Sequence, residues 1–196
     1  RWLLPRLDAH MYVGQRNKAY LRHYGVPESR LFFLPHFVDN TFFAEASQET
    51  KRVGKTAAIR MTVGIPHDAF VFLSVGKMIP KKRAGDFVQA CLRVLVLPEG
   101  RNIHVLLVGD GPLRQSLEQL AKARTDRIHF AGFRNQNEVP SLYAASNALV
   151  LSSDGDETWG LVVNEAFACG IPAVVSDACG CAPDLIEEGR TGYTYP

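Results

Sequence analysis

Two glutamates, Glu157 and Glu165, stand eight residues apart near the carboxyl end of the sequence, at the start of an apolar segment. The spacing of apolar residues predicts a helix over 159–169. Eight helical residues correspond to about 800°, so the two carboxylates would project within ~80° of each other if both are helical. Most residues of this helix are apolar, and a carboxylate in such surroundings needs a hydrogen-bonding partner. A sugar hydroxyl would serve as that partner, whereas the alternative for Glu165 is a solvated helix position.

A second chemical feature is the basic loop Gly76-Lys77-Met78-Ile79-Pro80-Lys81-Lys82-Arg83, which carries four cations in seven residues. The loop directly follows an apolar run of strand length, and ligands of parallel sheets bind beyond the carboxyl ends of the strands. Its position favours binding of an anion such as phosphate, with a surface charge cluster as the alternative. A glycoside hydrolase that used Glu157 and Glu165 would leave this loop without a purpose.

Two further turns follow predicted strands. Gly109-Asp110-Gly111-Pro112 is a strand-to-helix turn that matches neither the G-x-G-x-x-G fingerprint nor a Walker A motif. Residues 152–160 lead into the helix predicted to begin near Trp159, whose free N–H groups and dipole form an anion site. Gly160 is expected to let a ligand approach the backbone there. We interpret Asp154-Gly155-Asp156 as a loop turn rather than a metal site.

These features lie in a regular alternation of strands and helices that begins at Ala69. The predicted strands are residues 70–75, 103–108, 127–131, 148–151 and 173–176, and the predicted helices are residues 86–96, 113–123, 139–145, 159–169 and 183–188. Continuous apolar runs are typical of strands buried on both faces. The strict rotation therefore predicts an α/β fold with a Rossmann-like, doubly wound parallel sheet.

The first 43 residues have a different pattern, with a short strand predicted at 10–14 and a helix at 17–24. Residues 44–58 are polar and are expected to form a connector or a short helix. We therefore divide the chain into residues 1–43, a linker or remnant of a preceding domain, and residues 44–196, the α/β domain. The sequence begins with Arg1 and has no signal-peptide pattern, so we expect it to be part of a longer chain.

The composition excludes several classes of function. The 196 residues are 46% hydrophobic with a net charge of +2, which gives no general basis for binding nucleic acid or a membrane surface. No apolar run approaches the ~20 residues of a transmembrane helix. The four cysteines have no partners at zinc-binding spacing, and reduced thiols with no metal are the expectation.

The segment Glu157-Thr158-Trp159-Gly160-Leu161-Val162-Val163-Asn164-Glu165-Ala166-Phe167-Ala168-Cys169-Gly170-Ile171-Pro172 resembles the E-x7-E signature of retaining glycosyltransferases with the GT-B fold. The most similar pattern is that of family 4, the glycosyl transferases group 1. The basic loop, the Gly109 turn and Phe130-Ala131-Gly132-Phe133 resemble other segments of this family, in the family's order. The resemblance covers roughly residues 30–196 and implies the carboxyl-terminal, nucleotide-sugar-binding half of the fold.

The resemblance also implies roles for individual residues. Lys77 and Lys82 would hold the diphosphate, Glu165 the ribose hydroxyls, and Glu157 the hydroxyls of the donor sugar. The remaining donor-site positions implied by the resemblance are Gly76, Gly109, Phe133, Arg134, Thr158, Trp159, Gly160 and Leu161. Among these, Phe133 and Arg134 would lie along the base, and the backbone N–H groups of residues 159–161 would face the sugar and phosphates.

The same resemblance implies that the partner is a nucleotide-diphosphate sugar, which is a substrate, so no cofactor and no metal are expected. The acceptor would bind to a missing amino-terminal domain, and no catalytic residue is assigned here. We expect a cytoplasmic location, peripheral to a membrane only through the missing domain, in cell-envelope polysaccharide synthesis. Binding without transfer is the expectation for this chain alone. A non-catalytic scaffold of the same fold and a sugar-nucleotide epimerase are the alternatives.

Overall fold

Six parallel strands form the central sheet of the computed structural model, which describes residues 2–196 and leaves Arg1 outside. The strands are β3 (Phe70–Val75), β4 (Ile103–Val108), β5 (Ile128–Gly132), β6 (Ala148–Leu151), β7 (Ala173–Ser176) and β8 (Gly192–Tyr195). Their order across the sheet is β5-β4-β3-β6-β7-β8, and every neighbouring pair is parallel. The prediction of a doubly wound parallel sheet is therefore confirmed. The strand order reverses between β3 and β6, and ligands of such sheets bind at this switch point.

Helices pack on both faces of the sheet. The helices that follow β3 are α4 (Ala84–Val94), α5 (Arg114–Lys122), α6 (Val139–Ala144), α7 (Leu161–Ala168) and α8 (Ala182–Leu185). Val105 and Leu107 of β4 pack with α4 and α5, whereas Leu106 and Val108 lie in the core formed with α6 and α7. This alternation explains why β4 is apolar at every position except His104.

The predicted elements occur in the predicted order, with shifted ends. The helix predicted over 159–169 begins two residues later, at Leu161, because Gly160 has a φ of 107° that no helix allows. The helix predicted over 183–188 is shorter, since α8 ends at Leu185 and an extended segment follows it. That segment leads to β8, a strand that we did not predict, because Gly192-Tyr193-Thr194-Tyr195 lies at the sheet edge and is half-exposed.

The residues before the main sheet form more regular structure than expected. β1 (His10–Tyr12) and β2 (Leu31–Phe33) make a separate two-stranded parallel sheet, joined by α1 (Gln15–His23). Of the two alternatives predicted for residues 44–58, a connector or a short helix, the helical one is found, as two helices, α2 (Asn40–Arg52) and α3 (Lys55–Thr62).

Helix α2 is amphipathic, and this explains why a polar sequence forms an ordered element. Phe43, Ser47 and Thr50 are buried at spacings of four and three residues, as expected for one face of a helix. The Asp39 carboxylate caps the helix by accepting a hydrogen bond from the Phe42 N–H at 2.9 Å. The predicted division at residues 43 and 44 falls within this helix, and the domain boundary stays a prediction. None of the helices in residues 2–196 has the length and apolar character that a membrane span needs.

Candidate functional site

The loops that follow β3 and β6 meet at the switch point of the sheet. The Asp154 N–H donates a hydrogen bond to the Lys81 carbonyl oxygen at 2.9 Å. The buried Ser152 hydroxyl donates to the Lys82 carbonyl oxygen at 2.8 Å. These two bonds join the basic loop to the loop that carries the first glutamate of the signature.

An ion pair between Lys82 and Glu157 lies where the two loops meet. The Ser153 hydroxyl, which is fully buried, also donates to the Glu157 carboxylate, at 3.0 Å. The Lys82 and Glu157 side chains are 24% and 14% exposed, so solvent screens this pair less than a surface pair. The structure thus brings together two residues that the resemblance assigned to different parts of one ligand. Ser153 was not among the predicted residues.

The glycines of the neighbouring loops allow close packing of backbone segments. Gly109 has a φ of 134°, and a Cβ atom there would lie 1.9 Å from the Gly76 carbonyl oxygen. Gly76 itself has a φ of 151°, and the nearest atom to a Cβ on it would be the Lys82 Cε at 4.0 Å. Lys77, the next residue, is exposed. The ends of β3 and β4 therefore lie together, and Lys77 and Lys82 are on the loop that follows β3.

The segment before α7 is held by the loop after β7 rather than by helical hydrogen bonds. The Gly180 and Cys181 N–H groups donate to the Glu157 and Trp159 carbonyl oxygens at 2.9 and 3.0 Å. A Cβ atom on Gly180 would lie 1.8 Å from the Thr158 carbonyl oxygen, so this approach requires glycine. Glu157 is consequently not helical, and the predicted angle of ~80° between the two glutamates does not apply.

Gly160 is required for packing beneath the helix start, a role that the predicted approach of a ligand to its backbone did not include. A Cβ atom there would lie 2.5 Å from the Leu151 Cδ2, and the φ of 107° disfavours any side chain. Leu161 opens α7, and the first N–H groups of the helix have no acceptor within it. The Trp159 side chain is buried, and its Nε1 donates to the Asn164 Oδ1 at 2.9 Å, so only its backbone is available to a ligand.

Glu165 lies on α7 and is half-buried. The Tyr143 hydroxyl of α6 donates a hydrogen bond to the Glu165 Oε2 at 2.7 Å. Burial raises the pKa of Glu165, and the hydrogen bond from Tyr143 opposes that rise. The sequence analysis did not identify Tyr143, because it lies among the apolar residues of the short helix predicted over 139–145.

Phe133 and Arg134 follow β5, two strands away from β3 in the sheet. The Phe133 side chain is 68% exposed at this edge. Arg134 forms an exposed ion pair with Glu138 at 3.3 Å. Neighbouring strands lie ~4.8 Å apart, so the ends of β5 and β6 are separated by about 14 Å along the ligand-binding edge.

The acidic triplet beside the site forms a turn. The Asp156 N–H donates to the Asp154 Oδ1 at 3.0 Å, which closes the loop locally. Across residues 2–196, no group of three or more His, Cys, Asp or Glu side chains is placed to hold a metal ion.

Two cavities differ in how well they match this chemistry. An apolar cavity of about 640 Å³ lies between α4 and the sheet, lined in part by Phe72, Phe87 and Val174. A cavity of about 20 Å³ lies at the strand ends and is lined by Lys77, Lys82 and their neighbours. The smaller cavity marks the candidate functional site, because Lys77 and Lys82 of the basic loop both line it.

Comparison with known proteins gives the family context. Residues 55–196 match the family model described as glycosyl transferases group 1. The chain is 34% identical over 137 residues to N-acetyl-alpha-D-glucosaminyl L-malate synthase of Bacillus anthracis, covering 69% of this chain and 34% of that protein. It is 31% identical over 183 residues to alpha-D-kanosaminyltransferase of Streptomyces kanamyceticus, covering 92% of this chain and 44% of that protein. The chain therefore spans less than half the length of these curated relatives.

Solved structures share the fold. HepE of Anabaena, crystallised in complex with UDP, superposes with a TM-score of 0.78 at 21% identity, over 98% of this chain and 51% of that chain. Sucrose-phosphate synthase of Thermosynechococcus elongatus superposes with a TM-score of 0.76 at 26% identity, over 100% of this chain and 47% of that chain.

Proposed function

Because this chain belongs to the glycosyl transferases group 1, we propose that it forms the donor-binding half of a glycosyltransferase. In this proposal it holds a nucleoside-diphosphate sugar along the carboxyl edge of its sheet. The observation that carries the proposal is the meeting of Lys82 and Glu157 at the switch point. A cation for phosphate and a carboxylate for hydroxyl groups stand side by side there, where ligands of doubly wound sheets bind.

The order of side chains along the edge supports an elongated ligand. Phe133 and Arg134 at the end of β5 would border the base, and Glu165 would accept hydrogen bonds from the ribose. Lys77 and Lys82 at the end of β3 would hold the diphosphate as point charges. These contacts would extend over the ~14 Å that separates the ends of β5 and β6.

The segment after β6 would hold the other end of the donor. Glu157 would accept hydrogen bonds from the sugar hydroxyls, and Thr158 lies beside it. The backbone N–H groups from Trp159 to Leu161, with the first turn of α7, would face the sugar and phosphates. Because Gly76 and Gly109 have no side chains, their two loops pack closely together, and the ligand would lie across them.

The chemistry of sugar transfer fits these residues. When the bond between the anomeric carbon and the diphosphate oxygen breaks, the electron pair stays on the oxygen and negative charge grows there. Two lysines and a helix amino terminus aimed at this oxygen stabilise that charge without a metal ion. Transfer also requires an acceptor site, which we propose lies outside these 196 residues. On this proposal the chain alone binds the donor weakly and transfers nothing, and its location is the cytoplasm, where nucleotide sugars are supplied.

Relatives supply the first ligands to test. UDP is bound in the HepE structure, and alpha-D-kanosaminyltransferase is named for the transfer of a sugar. Another relative, LpsD of Rhizobium meliloti, is named for lipopolysaccharide core biosynthesis and is 32% identical over 123 residues. Synthesis of a cell-envelope polysaccharide is therefore part of the proposal.

Calorimetric titration of the chain with UDP, GDP and ADP tests the proposal. We expect one nucleotide to bind, and we expect Lys82→Ala and Glu165→Ala each to weaken binding more than tenfold, since each removes a charge-assisted contact. Lys122→Ala is the matched control, because Lys122 is an exposed lysine in the last turn of α5. A folded chain that binds none of the three nucleotides would contradict the proposal, as would equal losses in the Lys82 and Lys122 variants.

A further inference from the structure

Tyr143 is a buried polar residue that contacts Glu165 of the candidate site, and the proposed function gives it no role. Its side chain is fully buried on α6, and its ring packs edge-on against Phe43 of α2, with centroids 6.4 Å apart. A hydroxyl in such a place needs a hydrogen-bond partner. Its nearest acceptor is the Glu165 Oε2 at 2.7 Å, and the Val162 carbonyl oxygen is more distant at 3.3 Å. The short contact to a carboxylate is the stronger of the two.

This contact restrains the Glu165 carboxylate in two ways. It fixes Oε2, so the carboxylate plane cannot rotate freely and Oε1 keeps a defined direction. A carboxylate has about four acceptor positions, and Tyr143 uses one of them. The remaining positions stay available to ligand hydroxyl groups. The hydrogen bond also stabilises the ionised form of a side chain that burial pushes towards the neutral form.

We propose that Tyr143 is a positioning residue, which binds no ligand itself but holds Glu165 ionised and correctly oriented to accept hydrogen bonds from the ribose of the donor. This inference rests on the proposed function, because it assumes that Glu165 contacts the nucleotide. It assigns a role in ligand binding to a side chain that is closed to solvent, and it makes α6 part of the site.

The surroundings of Glu165 make the proposal testable by pH. The titratable groups that the structure places against it are Tyr143 and the Cys169 thiol at the end of α7, while Lys51 of α2 donates to the Cys169 carbonyl oxygen at 3.3 Å. Burial raises the pKa of Tyr143 well above its usual value and that of Cys169 to about 11, so both keep their protons below pH 8. Glu165 is therefore the group in this cluster that changes charge in the acidic range.

Replacing Tyr143 by Phe removes the stabilising hydrogen bond and leaves desolvation unopposed, so the pKa of Glu165 rises further. Binding needs the ionised carboxylate, and affinity falls as pH drops through that pKa. The fall therefore begins at a higher pH in Tyr143→Phe than in the wild type. At neutral pH we expect the variant to bind about tenfold more weakly, the usual consequence of losing a hydrogen bond to a charged group.

The experiment measures the Kd of whichever of UDP, GDP and ADP binds best, from pH 5 to pH 8. The four proteins are the wild type, Tyr143→Phe, Glu165→Gln and the double variant. Glu165→Gln retains the titration of the ligand phosphates and the histidines, and so gives the baseline. We expect Tyr143→Phe to shift the acidic limb upward, and to have no further effect on Kd in the Glu165→Gln background.

Each outcome has a distinct meaning. An equal loss in both backgrounds would overturn the positioning role and indicate packing alone, and an acidic limb that does not move would overturn the claim that Tyr143 holds Glu165 ionised. Circular dichroism checks that each variant is folded. If Tyr143→Phe does not fold, the comparison of wild type and Glu165→Gln still decides, since identical pH profiles would refute the inference. Failure of the wild type to bind any nucleotide would instead remove the proposed function.

Discussion

Replacing Glu157 by Gln should strengthen the binding of a nucleoside diphosphate. In the free chain the Glu157 carboxylate neutralises the Lys82 ammonium and also accepts a hydrogen bond from Ser153. A diphosphate that binds to Lys82 must displace this carboxylate or lie beside it, and both cases oppose binding. Glutamine keeps the size of the side chain and its capacity to accept the Ser153 hydrogen bond, but removes the negative charge.

The size of the effect follows from the burial of the pair. Two unit charges ~4 Å apart attract by about 4 kcal/mol at an effective dielectric constant of ~20, the value for pairs near a protein surface. Desolvation cancels part of this attraction. Because the two side chains are only 24% and 14% exposed, we expect about 1.4 kcal/mol of this attraction to remain. Removing it in Glu157→Gln corresponds to about tenfold tighter binding of the diphosphate.

Calorimetric titration at low salt measures the effect of Glu157→Gln on the affinity for two ligands. One is a nucleoside diphosphate, and the other is the corresponding nucleotide sugar. The sugar-bearing donor should gain less, because Glu157 would otherwise accept hydrogen bonds from its hydroxyls. Glu187→Gln is the matched control, because Glu187 is an exposed glutamate paired with Arg190 and the variant has the same change in net charge. Weaker or unchanged diphosphate binding in Glu157→Gln would refute the reasoning.

Two predictions concern stability. Gly160→Ala should lower the free energy of unfolding by about 2 kcal/mol or more, because it forces a Cβ atom into the left-handed region and against Leu151. Gly155→Ala, at an exposed glycine with no atom within 4 Å of a built Cβ, should change it little, and urea denaturation of both variants checks this. Burial lowers the pKa values of His104 and His129, whose ring nitrogens lie 2.9 Å apart, so the unfolded chain binds more protons below pH ~6.5. The free energy of unfolding should therefore fall between pH 7.5 and pH 5.5, and fall less in His129→Gln; a pH-independent value would contradict this assignment.

The sequence by itself determined the fold class and the edge of the sheet at which the candidate site was predicted. Unbroken apolar runs such as Ala148–Leu151 indicate burial on both faces of a sheet, and that property depends only on which residues are apolar. Strict rotation of strand and helix then restricts the topology to a parallel, doubly wound sheet. Because ligands of such sheets lie beyond the carboxyl ends of the strands, the basic loop and Glu157 could be named before any coordinates, and the family resemblance singled out Lys82 within that loop.

Only the tertiary structure decided which side chains meet. Local periodicity predicts that Tyr143 and Glu165 lie on helices, but not that α6 and α7 cross with the hydroxyl 2.7 Å from the carboxylate. The same limit applies to Lys82 and Glu157, which are 75 residues apart and are joined by the order of β3 and β6 in the sheet. Periodicity also predicted helix where Glu157 and Gly160 lie, and the close approach of Gly180 to the Thr158 carbonyl oxygen overrides it. Such contacts depend on the strand order and on the packing of helices against the sheet, which the whole chain sets together and no local pattern encodes.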